Sequence, residues 1–200
     1  MPSETFIRLP DSKRQRIVDA IKREVERSSY ENFSVGSIIH ECEISRGSFY
    51  QYFPNKEDIY LYLLSCYQKQ ILEHAIETLR RNGGDFFDTF EEVYRFAVRM
   101  LCHRDSKAFR HNLFCNFRLY ELMWQKNSAI EKRFVQEFRS GVNTDLLRLN
   151  SPEEFTNLFE ICLFSCFRDV IGIFMADYSE QTVLEHFQCR VRLLRRAYQK

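Results

Sequence analysis

The chain has 200 residues, 44% hydrophobic and 28% charged, with a formal net charge of +1. That composition suits a soluble globular protein with a sizeable buried core, as one compact domain or a small domain fused to a larger one. It excludes a bulk basic signal for nucleic acid, and residues 1–56 repeat the balance with nine Lys and Arg against eight Asp and Glu. Any nucleic-acid contact must therefore come from local placement of charge.

Four prolines and six glycines separated by long periodic stretches predict an all-α chain of about nine helices. Seven cysteines, an odd number without CxxC spacing, fit buried thiols in a reducing cytosol and a cytoplasmic location. No apolar segment follows a basic start, so a secretory leader is not expected. The most apolar stretch, Ile161 to Ala176, is broken by Arg168 and Asp169 and is too short to span a membrane.

In chain order, Met1 to Pro10 reads as a short, loosely ordered arm. Asp11 or Ser12 starts a first helix to about Ser29, with Ile17, Val18, Ile21 and Val25 inward; Arg8, Lys13, Arg14 and Arg16 cluster at its beginning. Phe33 to Lys56 is the most informative stretch. Ser34 is a candidate N-cap for a short helix carrying Val35, Ile38, Ile39 and Cys42, and Ser45 caps a second that Pro54 ends near Phe53. Two capped short helices at this separation predict a helix-turn-helix. In the second, Phe49 and Phe53 are four apart and face inward, Gly47, Ser48 and Gln51 lie opposite, and Tyr50 and Tyr52 flank them. A small, polar outward face over an inward aromatic pair is what a groove-reading helix requires: glycine permits close approach, Gln51 can pair with a base edge, and tyrosine hydroxyls can reach phosphates.

After Pro54, Asn55 with Asp58 marks a new start, and Lys56 begins a helix to about Arg81, roughly 40 Å long and stopped by Gly83-Gly84. The division follows as 1–55 for the reading domain and 56–200 for the remainder, joined through this helix. Asp85 caps a helix to about Cys102, and another starts near Asp105 to Ser106 and runs through Trp124. Ser128 with Glu131 forms a capping box for a helix to about Leu149. Ser151-Pro152 opens a helix to about Ala176, and Ser179 opens the last, with Val183, Leu184, Phe187, Val191, Leu194 and Tyr198 as its stripe. The penultimate helix is apolar nearly all round, which predicts burial on more than one side and makes residues 152–198 the expected homodimer interface.

The segment ISRGSFYQYFPNKEDIY, preceded by SVGSIIHECE and by the helix containing QRIVDAI, resembles the DNA-binding domain of the tetracycline-repressor (TetR) family over about residues 12–64. The resemblance implies that Ser45 caps a recognition helix. Arg46, Gly47, Ser48, Tyr50, Gln51 and Tyr52 would line the side facing double-stranded DNA, and Lys56 would meet a phosphate. It further implies a helical C-terminal domain with a cavity for a small apolar or aromatic effector. Phe90, Tyr94, Phe114, Phe117, Trp124 and Phe164 are the aromatic candidates, and Arg118 and Glu121 the polar contacts. Two departures are visible: Glu43 stands where the family ends its second helix with glycine, and Ser28-Ser29-Tyr30 lacks the glycine after the first.

Catalytic signals are missing. There is no GxSxG, P-loop or dinucleotide fingerprint, and no cofactor, metal or enzymatic activity is expected. Cys162 and Cys166 are four apart but sit in a Phe-rich helix, where thiols are usually core; His103, His111, Cys102 and Cys115 lack an organising spacing. Arg168-Asp169 reads as a buried ion pair or an intersubunit contact. The expectation is a homodimeric, ligand-responsive repressor binding a palindromic operator. The competing class is an adaptor of the same fold without independent DNA binding.

Overall fold

The computed structural model describes residues 2–115 and 128–200. All regular elements among them are helices: α1 Glu4–Ile7, α2 Asp11–Arg27, α3 Val35–Cys42, α4 Arg46–Tyr52, α5 Lys56–Arg81, α6 Phe86–His103, α7 Lys107–Phe114, α8 Ser128–Gly141, α9 Pro152–Met175 and α10 Glu180–Tyr198. No helix of the described residues is long and apolar enough to cross a membrane. The chain forms two compact units, Met1–Gln68 with the segment that begins at Asp105, and Lys69–Arg104 with Ser128–Lys200. The change of unit falls inside α5, between Gln68 and Lys69, so the N-terminal unit takes half of that helix and includes α7.

In the N-terminal unit, α2 buries Ile17, Ala20, Ile21 and Val25 against α3 and α7. The arm expected at residues 1–10 instead holds α1, capped by Ser3 and burying Phe6. Ser34 occupies the N-cap of α3, yet its hydroxyl makes no capping bond. Its backbone N–H donates to the Glu24 carboxylate at 2.9 Å, and the same buried carboxylate accepts from the Ser28 hydroxyl at 2.9 Å and the Arg27 guanidinium at 2.8 Å. Glu24 therefore closes the turn in which the usual glycine is missing. Burial alone would raise its carboxyl, but the bonds from Ser34, Ser28 and Arg27 hold it below the ordinary carboxylate range.

The second missing glycine is replaced by strain. Glu43 takes the left-handed conformation, φ 51° and ψ 43°, so that its N–H and that of Ile44 still reach the carbonyls of His40 and Ile39. A non-glycine residue in that region costs about 1–2 kcal/mol. Packing meets that cost, with Arg16 donating to the Cys42 carbonyl at 2.8 Å and Arg23 pairing with Glu41. The far end of α2 is closed by α7, where the Asn112 amide donates to the Val25 carbonyl at 2.8 Å and the Glu26 carbonyl at 3.4 Å. Asp105 accepts from Lys22 at 3.1 Å and from the Tyr67 hydroxyl.

The C-terminal unit is built around aromatic rings. Phe86, Phe87 and Phe90 of α6 meet Phe138 of α8 and Phe155 and Phe159 of α9, and Tyr94 stacks on Phe187 of α10 at 3.6 Å. The helix expected to reach Leu149 ends at Gly141, and the Ser128–Glu131 capping box lies outside the described side chains. Beyond it the Asn143 N–H donates to the Gly84 carbonyl at 2.9 Å. Gly84 has φ 82°, and a Cβ there would lie 2.7 Å from the Gly141 oxygen, so this crossing admits glycine alone. Asp169, 1% exposed, pairs with Arg190 of α10 and not with its neighbour Arg168, which is exposed; the Tyr94 hydroxyl donates to the same carboxylate.

Two outcomes follow. Glu24→Ala lowers the unfolding free energy by about 2 kcal/mol, because three donors lose a charged acceptor. Since the folded carboxyl lies below its unfolded value of about 4.3, the wild-type contribution is complete above that pH and disappears as pH falls through the folded value. Urea unfolding from pH 6 to pH 3 should show a steep acid loss in wild type and a shallower one in the variant. Asp169→Ala leaves the Arg190 charge uncompensated and should cost about 3 kcal/mol, with partial recovery on adding Arg190→Met, read by thermal unfolding.

Candidate nucleic-acid interface

Helix α4 has seven residues, too few for independent stability. Its start is set by Ser45, whose hydroxyl accepts the Ser48 N–H at 3.1 Å and lies 2.8 Å from the Ser48 hydroxyl. Its inner side is set by Phe49 and Phe53, both fully buried with ring centroids 5.9 Å apart. These contacts fix which residues face out. Arg46, Gly47, Tyr50 and Gln51 are exposed and Ser48 is half-buried. The Arg46 guanidinium lies over the Tyr50 ring, 5.7 Å from its centroid, so the two side chains brace one another on the surface.

Gly47 is informative because the fold does not need it. A Cβ at this position would meet only the Ser45 hydroxyl, at 4.0 Å, and its backbone is helical. Alanine would be the better helix former there, by up to about 1 kcal/mol. The bare backbone at Gly47 thus answers no demand from inside the protein.

Tyr52 departs from the expectation. It is 5% exposed, and its ring packs against Phe6 with centroids 5.9 Å apart, so it does not flank the outward face. The cause is α1, which covers the side of α4 that periodicity alone leaves open. Lys56 is half-buried at the first turn of α5, with its ammonium donating to the Tyr30 carbonyl at 2.7 Å and lying 4.1 Å from the Tyr30 ring centroid. Asn55 caps that helix through the Asp58 N–H at 2.8 Å.

Most basic side chains of residues 2–56 are engaged within the protein. Arg8 pairs with Glu4, Arg14 with Asp11, Arg23 with Glu41 and Arg27 with Glu24. Arg16 and Lys56 are held by backbone carbonyls and Lys22 by Asp105.

Four of the eight residues expected to line an effector cavity are among the described ones. Phe90 and Tyr94 are packed core residues of the C-terminal unit, and Tyr94 is committed to Phe187 and Asp169. Phe114 belongs to the N-terminal unit, where its ring meets Tyr67 edge-on at 5.1 Å. Phe164 is 65% exposed on α9, because the inward stripe of that helix runs through Phe155, Leu158, Phe159, Cys162 and Asp169. Phe117, Arg118, Glu121 and Trp124 lie outside the described residues. Burial pushes the Cys162 thiol up to about 12 and the Cys166 thiol well above its ordinary value, which leaves both unreactive at neutral pH. Among the described residues no cluster of three metal-ligating side chains occurs.

Sequence reasoning missed α1 and Arg190. The signal for α1 was present in Ser3 ahead of Glu4 and Phe6, but one turn of helix carries too little periodicity to detect. Arg190 carries no local signal of its role, because its partner Asp169 lies 21 residues away.

Comparison with known proteins agrees with this geometry. Residues 17–63 match the model for bacterial regulatory proteins of the tetR family, and residues 85–196 match that for the tetracyclin repressor-like C-terminal domain. The chain is 38% identical over 109 residues to an uncharacterized HTH-type transcriptional regulator, YuxN, of Bacillus subtilis strain 168, covering 54% of this chain and 35% of that protein. It thus spans about a third of the length of that curated relative. The fold is similar to a putative TetR-family transcriptional regulator from Syntrophomonas wolfei, with a TM-score of 0.66, 19% identity and coverage of 92% and 94% of the two chains. It is also similar to the multidrug binding protein EbrR complexed with ethidium, with a TM-score of 0.50, 17% identity and coverage of 92% and 99%. With both parts of the chain matched, more than half of it by the C-terminal model alone, the protein belongs to the tetR family of bacterial regulatory proteins.

Proposed function

We propose that the protein is a ligand-responsive transcriptional repressor that binds a palindromic operator in double-stranded DNA as a homodimer. The observation that carries this reading is the outward face of α4, where Arg46, Gly47, Ser48, Tyr50 and Gln51 stand on a rigid aromatic base and one of them is a glycine the fold does not require. A bare backbone at the centre of an exposed polar face suits close approach to base edges. Gln51 is the candidate for a bidentate adenine contact, and Arg46 and Tyr50 for guanine or phosphate. Lys56, beside the N-terminus of α5, adds a phosphate contact once it leaves the Tyr30 carbonyl.

Dimerisation through residues 152–198 is supported by the apolar surface of the last two helices. Ile161, Leu163, Phe164, Phe167 and Met175 of α9 and Leu193 of α10 are all exposed, and Leu163, Phe164, Phe167 and Met175 lie on the side of α9 away from its core stripe. A patch of that kind favours an isologous contact between two copies, which would set two reading helices about one DNA turn, or a multiple, apart. A small apolar or aromatic effector fits the aromatic content of the C-terminal unit and the ethidium complex of EbrR. Such a ligand regulates DNA binding only by favouring one state of the dimer over another.

An adaptor without independent DNA binding is the second reading. It is favoured by the balanced charge of residues 1–56 and by the protein partners of Arg8, Arg14, Arg16, Lys22, Arg23, Arg27 and Lys56. The same engagement means that few phosphates are neutralised. The logarithm of operator affinity should therefore fall only shallowly with the logarithm of salt, by about −0.9 for each of the few phosphates contacted.

Gel-shift and fluorescence titrations against the promoter of the neighbouring genes test the reading. Tyr50→Ala and Gln51→Ala should each weaken binding about tenfold. Gly47→Ala should raise thermal stability slightly while weakening the same complex, a split that an exposed structural glycine would not give. Unchanged promoter occupancy in cells for Tyr50→Ala with Gln51→Ala would favour the adaptor. Phe164→Glu should shift sedimentation from dimer to monomer; a monomeric wild type would refute the dimer.

A further inference from the structure

Helix α1 lies outside the residues matched by the tetR model, yet it touches three other elements of the reading unit. At its start, the Ser3 N–H donates to the carbonyl of Tyr52, the last residue of α4, at 3.0 Å. In its middle, the fully buried Phe6 ring lies 4.7 Å from the Phe53 ring, 5.9 Å from that of Tyr52 and 5.5 Å edge-on from that of Tyr62 on α5. At its end, Arg14 of α2 donates to the carbonyls of Ile7 at 2.9 Å and Leu9 at 3.2 Å while pairing with Asp11. The last carbonyls of a helix lack partners within it, so both the end of α4 and the end of α1 are satisfied by this crossing.

We propose that α1 is a strap that sets the position of the recognition helix, with Phe6 and Ser3 as positioning residues for DNA reading. The cap at Ser45 fixes the beginning of α4, and the carbonyl of Tyr52 at its other end accepts from Ser3, outside the helix-turn-helix. The strap supplies that bond and covers Tyr52. The pitch at which Arg46, Tyr50 and Gln51 meet base edges then depends on a segment whose hydrogen bond and ring contacts fall on Tyr52, Phe53 and Tyr62. The inference rests on the DNA-binding reading above for its functional consequence, and the strap itself can be read without DNA.

Substitutions at Ser3 isolate one contact. Its φ of −72° suits proline, so Ser3→Pro deletes the N–H that reaches Tyr52 without forcing the backbone, whereas Ser3→Ala removes only the hydroxyl. In the full chain, amide exchange of Phe49 and Phe53 should accelerate in Ser3→Pro and not in Ser3→Ala; equal exchange in the two variants overturns the strap. With operator DNA and a mismatched duplex at one salt concentration, Ser3→Pro and Phe6→Ala should each lose about tenfold in operator affinity, the scale of one base contact, and hold their mismatched-duplex affinity. Phe6→Leu should restore most of the loss. Unchanged operator affinity in folded Phe6→Ala refutes the positioning role. Tighter binding refutes it in the other direction, since the strap would then be masking Tyr52. If Phe6→Ala fails to melt cooperatively, Ser3→Pro carries the decision alone. A wild type that ignores the operator while Ser3→Pro still speeds exchange overturns the DNA-binding reading and the positioning role with it, leaving the strap as a purely structural tie.

Discussion

A seven-residue helix has no stability of its own in water, so everything α4 can do depends on the burial of Phe49 and Phe53. The two rings anchor one side of the helix in an aromatic cluster with Phe6 and Tyr62, and the opposite side is thereby obliged to face outward. Orientation is the product of this packing. The polar residues on the exposed face contribute little to holding the helix, which leaves their identities available for recognition.

The N-terminal unit shows how a turn can close without its customary glycine. After α2, a buried carboxylate from Glu24 stands in for the missing backbone freedom by accepting the Ser34 N–H directly. After α3, the chain keeps the left-handed conformation and places Glu43 in it. One solution uses a charge-assisted hydrogen bond and the other uses backbone strain, and both leave the course of the chain into α4 intact. In the C-terminal unit Asp169, Arg190 and Tyr94 meet within the aromatic core, a polar tie between α6, α9 and α10 that orients otherwise interchangeable apolar surfaces.

Much of this was legible in the sequence because it is local. Caps such as Ser45, Asp85, Ser151 and Ser179, the Phe49–Phe53 pair and the breaks at Pro54 and Gly83-Gly84 all act within a few residues. What was not legible depends on partners far along the chain. Tyr52 reads as a flank residue until α1 covers it, Ser34 reads as a cap until Glu24 replaces it, and Asp169 reads as a neighbour of Arg168 until Arg190 arrives from another helix. The aromatic residues after position 84 announced a core, but their list could not separate Phe90 and Tyr94, which are packed, from Phe164, which faces outward.

The Asn112 amide that covers the Val25 and Glu26 carbonyls has a consequence for how the protein is made. Its partner lies 87 residues earlier, and Asp105 reaches Lys22 over a similar distance. Contacts of such separation close late, because the entropy of the intervening loop is lost before they form. The reading unit is therefore not complete when its first 64 residues leave the ribosome. It must wait, partly open at the end of α2, until the chain has been extended past residue 112, and the maturation of the DNA-facing end is tied to the synthesis of α7.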